Sequence, residues 1–332
     1  KNGNFPVVLK ADGLALGKGV LICNTLEEAL EGLKEIMLDK KFGSAGNKIV
    51  IEEFMTGREV SVLSFVDGNT IKIMSSAQDH KRAKDGDQGL NTGGMGTYSP
   101  SSQAHIYLSE IESTVLTPFL DGIKKDALDV RGIIFIGFMI GTKGIKVLEF
   151  NTRFGDPETQ TVLQRLETDL LDIMLHTSDS NLNGIDIRFN DKKVITLVIS
   201  SGGYPEKYET GCEITGLENV SSKVFHAGTA IKDGKPVTSG GRVISLTSCK
   251  DTFEEAFNLV YSDAKAVDFK NKYYRRDISP LVKRIYVEKK EKFNEEGKHL
   301  LQELKDGAGI ELNKVRCLVR YDIENLTDDE LI

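Results

Sequence analysis

Cysteine is scarce and scattered. Only Cys23, Cys212, Cys249 and Cys317 occur among 332 residues. None forms a C-x-x-C pair, so the spacing fits neither a zinc module nor a disulfide scaffold. A reducing, cytoplasmic setting is the expectation. Long apolar runs are missing too: none approaches the roughly 18 residues of a membrane span. No apolar stretch follows Lys1-Asn2-Gly3-Asn4, so no signal peptide is expected. Basic charge is not in excess, with 43 Lys and Arg against 50 Asp and Glu and a net charge of −7. That argues against a general nucleic-acid binder. It leaves anionic ligands open, because a site needs only local positive charge. Position 1 is not methionine, and Lys1 is read as an internal residue of a longer protein. What is present is 39% hydrophobic and 28% charged residues, the composition of a globular protein. The length predicts two or three domains.

The periodicity predicts a strand at 6–10, a glycine-rich loop at 11–19 and a second strand at 20–23. Thr25 is expected to cap a helix with Glu28 as capping-box partner, its apolar stripe being Leu26, Leu30, Leu33 and Met37. Residues 48–54 read as a strand ending in carboxylates, and 59–66 with 71–74 as a hairpin. Residues 77–100 are polar and glycine-rich, too long for an ordinary connection. A helix is expected over 106–128, two strands over 133–140 and 145–151, and one helix over 158–176. Ser, Asn, Asp and Gly cluster at 178–192 and mark a boundary. Short strands fill 194–249, a helix 252–267, and a β-α-β unit the last 50 residues.

Four segments carry candidate chemistry. In the glycine loop, Gly13 and Gly17 are one residue too close for a G-x-x-x-x-G-K-[ST] loop, and Gly19 stands where Ser or Thr belongs. What remains is a strand-loop-strand with Lys10 at one end and Lys18 at the tip. Its glycines permit backbone N–H groups near phosphates, or it is a plain hairpin turn. Glu149 and Asn151 lie at i and i+2 on a strand end, so both face one side. Two oxygen donors there suit Mg²⁺, or the end is simply solvated. Glu52, Glu53 and Phe54 with Glu59 could be surface charge or could hold a nucleoside. Asp79, His80, Lys81 and Arg82, with the loop 91–96, could hold a phosphate-bearing ligand or form a mobile loop.

The order of these segments resembles the ATP-grasp superfamily. More closely, Val8 to Val20, Gln78 to Arg82, Asn91 to Gly96 and Glu149 to Gln160 resemble the phosphoribosylamine–glycine ligase family. So do Ser201 to Pro205, Val224 to Thr229, Ser239 to Val243 and Tyr274 to Ile278. The resemblance covers about residues 5–279. It implies an α+β or α/β fold: an ATP-grasp body of two sheets clasping ATP over 1–185, a small mostly-β domain over 190–279, and a β-α-β tail over 281–332. The tail resembles the start of phosphoribosylformylglycinamidine synthase, which implies fusion to another purine enzyme. The family's N-terminal domain has no counterpart here, so slow turnover by this chain is expected.

The implied reaction joins glycine to 5-phosphoribosylamine with ATP and Mg²⁺ or Mn²⁺, without nucleic acid or membrane as partner. By resemblance, Lys10, Gly13, Gly17, Lys18 and Gly19 serve the phosphates. Glu52, Glu53, Phe54 and Met55 line adenine, Glu59 holds ribose, and Glu149 with Asn151 holds the metal. Arg153 and Lys18 are the catalytic candidates. Asp79, His80, Lys81, Arg82, Asn91, Thr92, Gly93, Gly94, Arg153 and Asp156 face the substrates. The competing expectations are another ATP-grasp purine enzyme, such as a carboxylase, and a fragment that keeps the fold without catalysis.

Overall fold

The computed structural model describes residues 5–15, 19–141, 144–280, 282–290, 294–308, 312 and 315–324. In chain order its elements are β1 (Val7–Ala11), β2 (Val20–Cys23), α1 (Leu26–Leu33), β3 (Ile49–Glu53), β4 (Arg58–Val66), β5 (Ile71–Ile73) and β6 (Gln78–Asp79). Next come β7 (Arg82–Lys84), β8 (Gln88–Asn91), β9 (Gly96–Ser99), α2 (Ser102–Ile111), α3 (Thr117–Lys125), β10 (Gly132–Gly141), β11 (Gly144–Asn151), α4 (Glu158–Val162) and α5 (Leu170–Ser178). The remainder is β12 (Lys193–Ser201), β13 (Lys223–His226), β14 (Thr229–Lys232), β15 (Lys235–Thr238), β16 (Arg242–Lys250), α6 (Phe253–Ala266), β17 (Lys272–Tyr273), β18 (Val282–Glu288), α7 (Glu295–Ala308) and β19 (Leu318–Glu324). They fall into two compact units. One comprises Lys1–Lys81, Asn91–Gly94 and Ser99–Asn190; the other comprises Arg82–Leu90, Met95–Tyr98 and Asp191–Ile332.

The first unit holds two antiparallel sheets. The smaller has strand order β2-β1-β3, and the larger β11-β10-β4-β5. β4 and β10 are rich in Val, Ile and Phe, which suit a pleated, buried surface. Val62, Leu63, Phe65, Ile134, Ile136 and Phe138 are nearly inaccessible there. Their alternation feeds two cores, one on each face of the sheet: Val62, Ile134 and Ile136 pack with Ile111 and Leu116, while Leu63, Phe65 and Phe135 pack with Val162 and Ile173.

The helix α1 differs from expectation. Its buried face is Ala29, Gly32 and Ile36 of the following turn, while Leu26 and Leu30 are 52% and 57% exposed. The cause is close packing on the sheet: a Cβ at Gly32 would lie 3.0 Å from Leu21 Cδ1 and 3.2 Å from Leu9 Cδ1. The cap is also displaced. Thr25 Oγ1 accepts from the Glu28 N–H at 3.2 Å, but Glu28 Oε2 takes the N–H of Asn24, not of Thr25.

Two other expectations are corrected. The single helix over 158–176 is broken, because Leu166 leaves to pair with Phe189 and Asp169 starts α5 by accepting the Leu171 N–H at 2.7 Å. An Asp side chain that bonds nearby backbone favours a cap over a helix interior. The expected helix over 106–128 begins at Ser102, where Ser101 caps Ala104, and passes through a π-helical stretch at Glu112–Leu116. Residues 77–100 contain four short strands.

The second unit is built on antiparallel β13-β16-β12-β9, with β17 on β12. α6 has a complete capping box, Thr252 with Glu255. Its Ala256, Val260 and Ala264 pack on Ile195, Leu197, Ile244 and Leu246. The tail follows the expected β-α-β order: β18 and β19 pair antiparallel, with Val282 opposite Glu324 and Glu288 opposite Leu318. Among the described residues no helix is long and apolar enough to cross a membrane.

Candidate active site

The first unit brings the nucleotide candidates together from three strands. Lys10 on β1 stands opposite Val50 on β3. Its Nζ lies 2.6 Å from Glu52 Oε2 and donates to the Leu148 carbonyl on β11 at 3.1 Å. One lysine therefore joins both sheets. Glu52 and Glu53 are adjacent, so they point to opposite sides of the strand. Glu53 meets Lys146 of β11. Neither carboxylate is the unpaired surface charge that its position in the sequence permits. Phe54 is partly exposed, and Met55 and Glu59 are partly buried.

The two described glycines of the first loop are closely packed. The Gly13 N–H is already spent on the Ala45 carbonyl at 3.1 Å, and a Cβ there would lie 2.5 Å from Ala45 Cα. Gly19 is buried, its carbonyl accepting from the Ala11 N–H at 2.8 Å, and a Cβ would lie 2.7 Å from Ala15 Cβ. Gly13 packs against the Gly43–Asn47 turn, and Gly19 packs within the hairpin. Gly17 and Lys18 lie outside the described residues.

Glu149 and Asn151 end β11, opposite Gly137 and Phe135. Glu149 is exposed, with Oε1 3.6 Å from Lys81 Nζ. Asn151 Oδ1 accepts from Arg153 Nη2 at 3.4 Å, while its Nδ2 is buried without a partner. Arg153 also donates to the Phe154 carbonyl at 2.9 Å. A carboxylate and an amide oxygen two residues apart fit a hard cation whose remaining ligands are water and phosphate. Among the described residues no group of three or more His, Cys, Asp or Glu forms a larger cage.

The substrate candidates divide. Asp79, His80 and Lys81 lie in this unit with Asn91 to Gly94. The Thr92 N–H and Oγ1 both donate to the Lys81 carbonyl, at 2.7 and 2.8 Å, and Thr92 Oγ1 accepts the Gly94 N–H at 3.0 Å. Gly94 is held at φ +116° against Asp79: a Cβ would lie 2.8 Å from its Oδ1 and 2.6 Å from Pro157 Cδ. Asn91 and Gly93 are exposed, and Asp156 is exposed with Oδ1 accepting from Gln160 at 3.1 Å. Arg82 belongs to the other unit, where its Nη1 donates to the Gly89 carbonyl at 2.8 Å.

Glu158 is the residue that sequence reasoning left out of the site. It is 2% exposed and accepts from Ser61 Oγ at 3.3 Å. Its signal was its place directly after Gly155-Asp156-Pro157. Burial raises the Asp79 carboxyl well above its ordinary value, and the Glu158 charge raises it further while Lys81 opposes. Burial likewise raises Glu158. For Lys81 burial acts downward, but Asp79, Glu59, Glu149 and Glu158 outweigh it and raise the ammonium. Lys81 is thus a fixed positive charge among carboxylates, one of which ends the proposed metal strand.

Two antiparallel sheets bridged by a lysine, with carboxylates ending their strands, are arranged as in the ATP-grasp fold. At 15% identity and a TM-score of 0.59, the biotin carboxylase domain of the Hydrogenobacter thermophilus 2-oxoglutarate carboxylase shares the fold over 81% of this chain and 58% of its own. The match to particular enzymes goes further. Residues 1–159 match the phosphoribosylglycinamide synthetase ATP-grasp (A) domain, and residues 194–280 the C domain of the same synthetase. The phosphoribosylamine–glycine ligase of Clostridium acetobutylicum is 43% identical over 279 residues, covering 84% of this chain and 67% of the relative. The structure of the Thermotoga maritima ligase superposes with a TM-score of 0.74 at 36% identity, over 82% of this chain and 69% of that one. The chain belongs to the phosphoribosylamine–glycine ligase family. A bifunctional purine biosynthetic protein of Schizosaccharomyces pombe is 48% identical over 278 residues, but the chain spans only 35% of its length.

Proposed function

We propose that this chain ligates glycine to 5-phosphoribosylamine in the cytoplasm, giving glycinamide ribonucleotide, ADP and phosphate. The observation that carries the reading is the Lys81–Glu149 contact, which brings the proposed substrate segment to the proposed metal strand within one unit. Family membership supplies the reactants. A carboxylate oxygen of glycine attacks the γ-phosphorus of ATP, and ADP leaves. The amine of phosphoribosylamine then attacks the carbonyl carbon of the glycyl phosphate. Phosphate leaves with that oxygen, and the nitrogen loses one proton.

Such chemistry depends on positioning and charge neutralisation. Lys10 and, by resemblance, Lys18 serve the phosphates. Glu52 to Met55 line adenine, and Glu59 holds ribose. Glu149 and Asn151 hold Mg²⁺ or Mn²⁺, which when bound neutralises phosphate oxygens. Lys81, kept protonated by its carboxylates, adds a fixed positive charge. Arg153 presents a fork suited to a carboxylate or phosphate. The tail is read as the start of a fused purine enzyme; that bifunctional and trifunctional purine proteins occur among the relatives supports fusion as such.

The test is isotopic. With glycine carrying ¹⁸O in its carboxylate, one labelled oxygen is expected in the released phosphate. Unlabelled phosphate formed alongside glycinamide ribonucleotide would overturn the acyl-phosphate route.

A further inference from the structure

The two sheets of the first unit are packed separately. The smaller has its own core, Leu9, Cys23, Ala29 and Ile36, and the apolar side chains packed against it all lie within residues 5–49. The cores of the larger sheet draw on residues 60–189 and share no member with it. Among the described residues, no common core fixes one sheet on the other. Polar bridges cross instead, and two of them end on β11. Lys10 Nζ of β1 donates to the Leu148 carbonyl at 3.1 Å. Lys146 pairs with Glu53 at the end of β3.

Strict alternation along β11 would put Lys146 on the face opposite Glu149. The strand departs from it. Val147 stands opposite Phe138 and Glu149 opposite Gly137, so Leu148 has no partner on β10 and forms a β-bulge. The carbonyl that accepts from Lys10 belongs to this bulged residue. Past the bulge the faces exchange. Lys146, Glu149 and Asn151 stand opposite Met139, Gly137 and Phe135, alternate residues of β10, and so share one face. Val147 and Phe150 take the other face. Val147 packs on the core of Ile136 and Phe138, and Phe150 stacks on Phe119 with ring centroids 5.2 Å apart. Lys146 thus stands on the face of the proposed metal residues, roughly 7 Å along the strand from Glu149.

We propose that Lys146 is a positioning residue for the nucleotide. Its pair with Glu53 holds the end of β3, and with it Glu52 to Met55, at a set distance from the face of Glu149 and Asn151. The Lys10 bond to the bulge is a second anchor, and two anchors fix an orientation where one leaves a pivot. The inference rests on the proposed function for what these residues hold, adenine on β3 and metal on β11. The pair is exposed, with side chains 44% accessible at Lys146 and 66% at Glu53, so it adds little to folding stability. Its effect falls on the spacing of two separately packed sheets. Position 146 requires a long cationic side chain: arginine can meet Glu53, and methionine cannot.

The experiment compares the parent chain with Lys146→Met, Lys146→Arg, Glu53→Gln and the double variant Lys146→Met with Glu53→Gln. It reads amide hydrogen exchange over 49–57 without nucleotide, Mg–ATP affinity by calorimetry, the KM for ATP against kcat, and the urea midpoint. Lys146→Met and Glu53→Gln are each expected to speed exchange at 52–57 and to weaken Mg–ATP about fivefold, the upper range for an exposed pair. The KM for ATP rises in step, while kcat and the urea midpoint hold. Lys146→Arg restores parent exchange and affinity. The double variant is no weaker than either single one, because all three remove the same pair. Losses that multiply in the double variant, or parent exchange and affinity in Lys146→Met, overturn the proposal. A parent chain that binds no Mg–ATP would defeat the nucleotide reading instead, and exchange at 52–57 would then decide alone. Faster exchange in Lys146→Met, restored in Lys146→Arg, supports the positioning role, and unchanged exchange overturns it.

Discussion

Asp79 and Glu158 are carboxyls buried in the same cluster as Lys81, and burial dominates both shifts. A carboxyl raised in the folded chain binds a proton that the unfolded chain has released. Its contribution to stability is therefore full below the ordinary values of 3.8 and 4.5 and falls as pH rises above them. Asp79→Asn removes one of the two titrations. Its melting temperature relative to the parent should climb between pH 4 and pH 7, as followed by thermal melts. A difference that stays flat with pH would mean that Asp79 titrates normally. At the same scale, Lys81→Met removes the charge that opposes this pair. It should lower stability, read by urea unfolding, because the two buried carboxyls lose a nearby opposite charge. Asp79→Asn in that background should recover part of the loss.

At the scale of elements, the junction between β3 and β4 is closely packed against the end of β10. Gly57 has φ +153°, and a Cβ there would lie 2.1 Å from the Ile140 carbonyl oxygen at the end of β10. Gly57→Ala should destabilise by about 1–3 kcal/mol, as overpacking does, visible as a lowered urea midpoint. It should also weaken ATP binding, since Glu52 to Met55 and Glu59, the proposed adenine and ribose residues, flank the junction. Strands were legible from sequence because β-branched runs such as 60–66 and 133–140 admit little else. The buried face of α1 was not, because Ala29 and Gly32 carry no hydrophobic signal and are buried for lack of bulk. The break at Leu166 was hidden for a related reason: its partner Phe189 is 23 residues away. Of the candidate site, Glu149, Asn151 and Lys81 stand out by pattern. The Lys10–Glu52 and Lys146–Glu53 pairs did not, since they depend on how two sheets face each other. Glu158 resembled any helix-starting acid until its burial was seen.

On the scale of the whole molecule, a net charge of −7 coexists with the cations Lys10, Lys81 and Arg153 of the candidate site, proposed to meet anionic ligands. Mg–ATP at a hundred times its Kd should stabilise the chain by about 2.7 kcal/mol through mass action. Glu149→Ala should lose most of that gain in a thermal melt without changing the melt in its absence. The chain spans about a third of its bifunctional relatives and about two thirds of the single ligases, so turnover by this span is the central claim. It is tested most directly by supplying ATP, Mg²⁺ and phosphoribosylamine with either glycine or bicarbonate, and measuring ADP and glycinamide ribonucleotide. The account predicts ADP and glycinamide ribonucleotide in equal amounts with glycine, and neither with bicarbonate. ADP formation driven by bicarbonate and indifferent to glycine would contradict it.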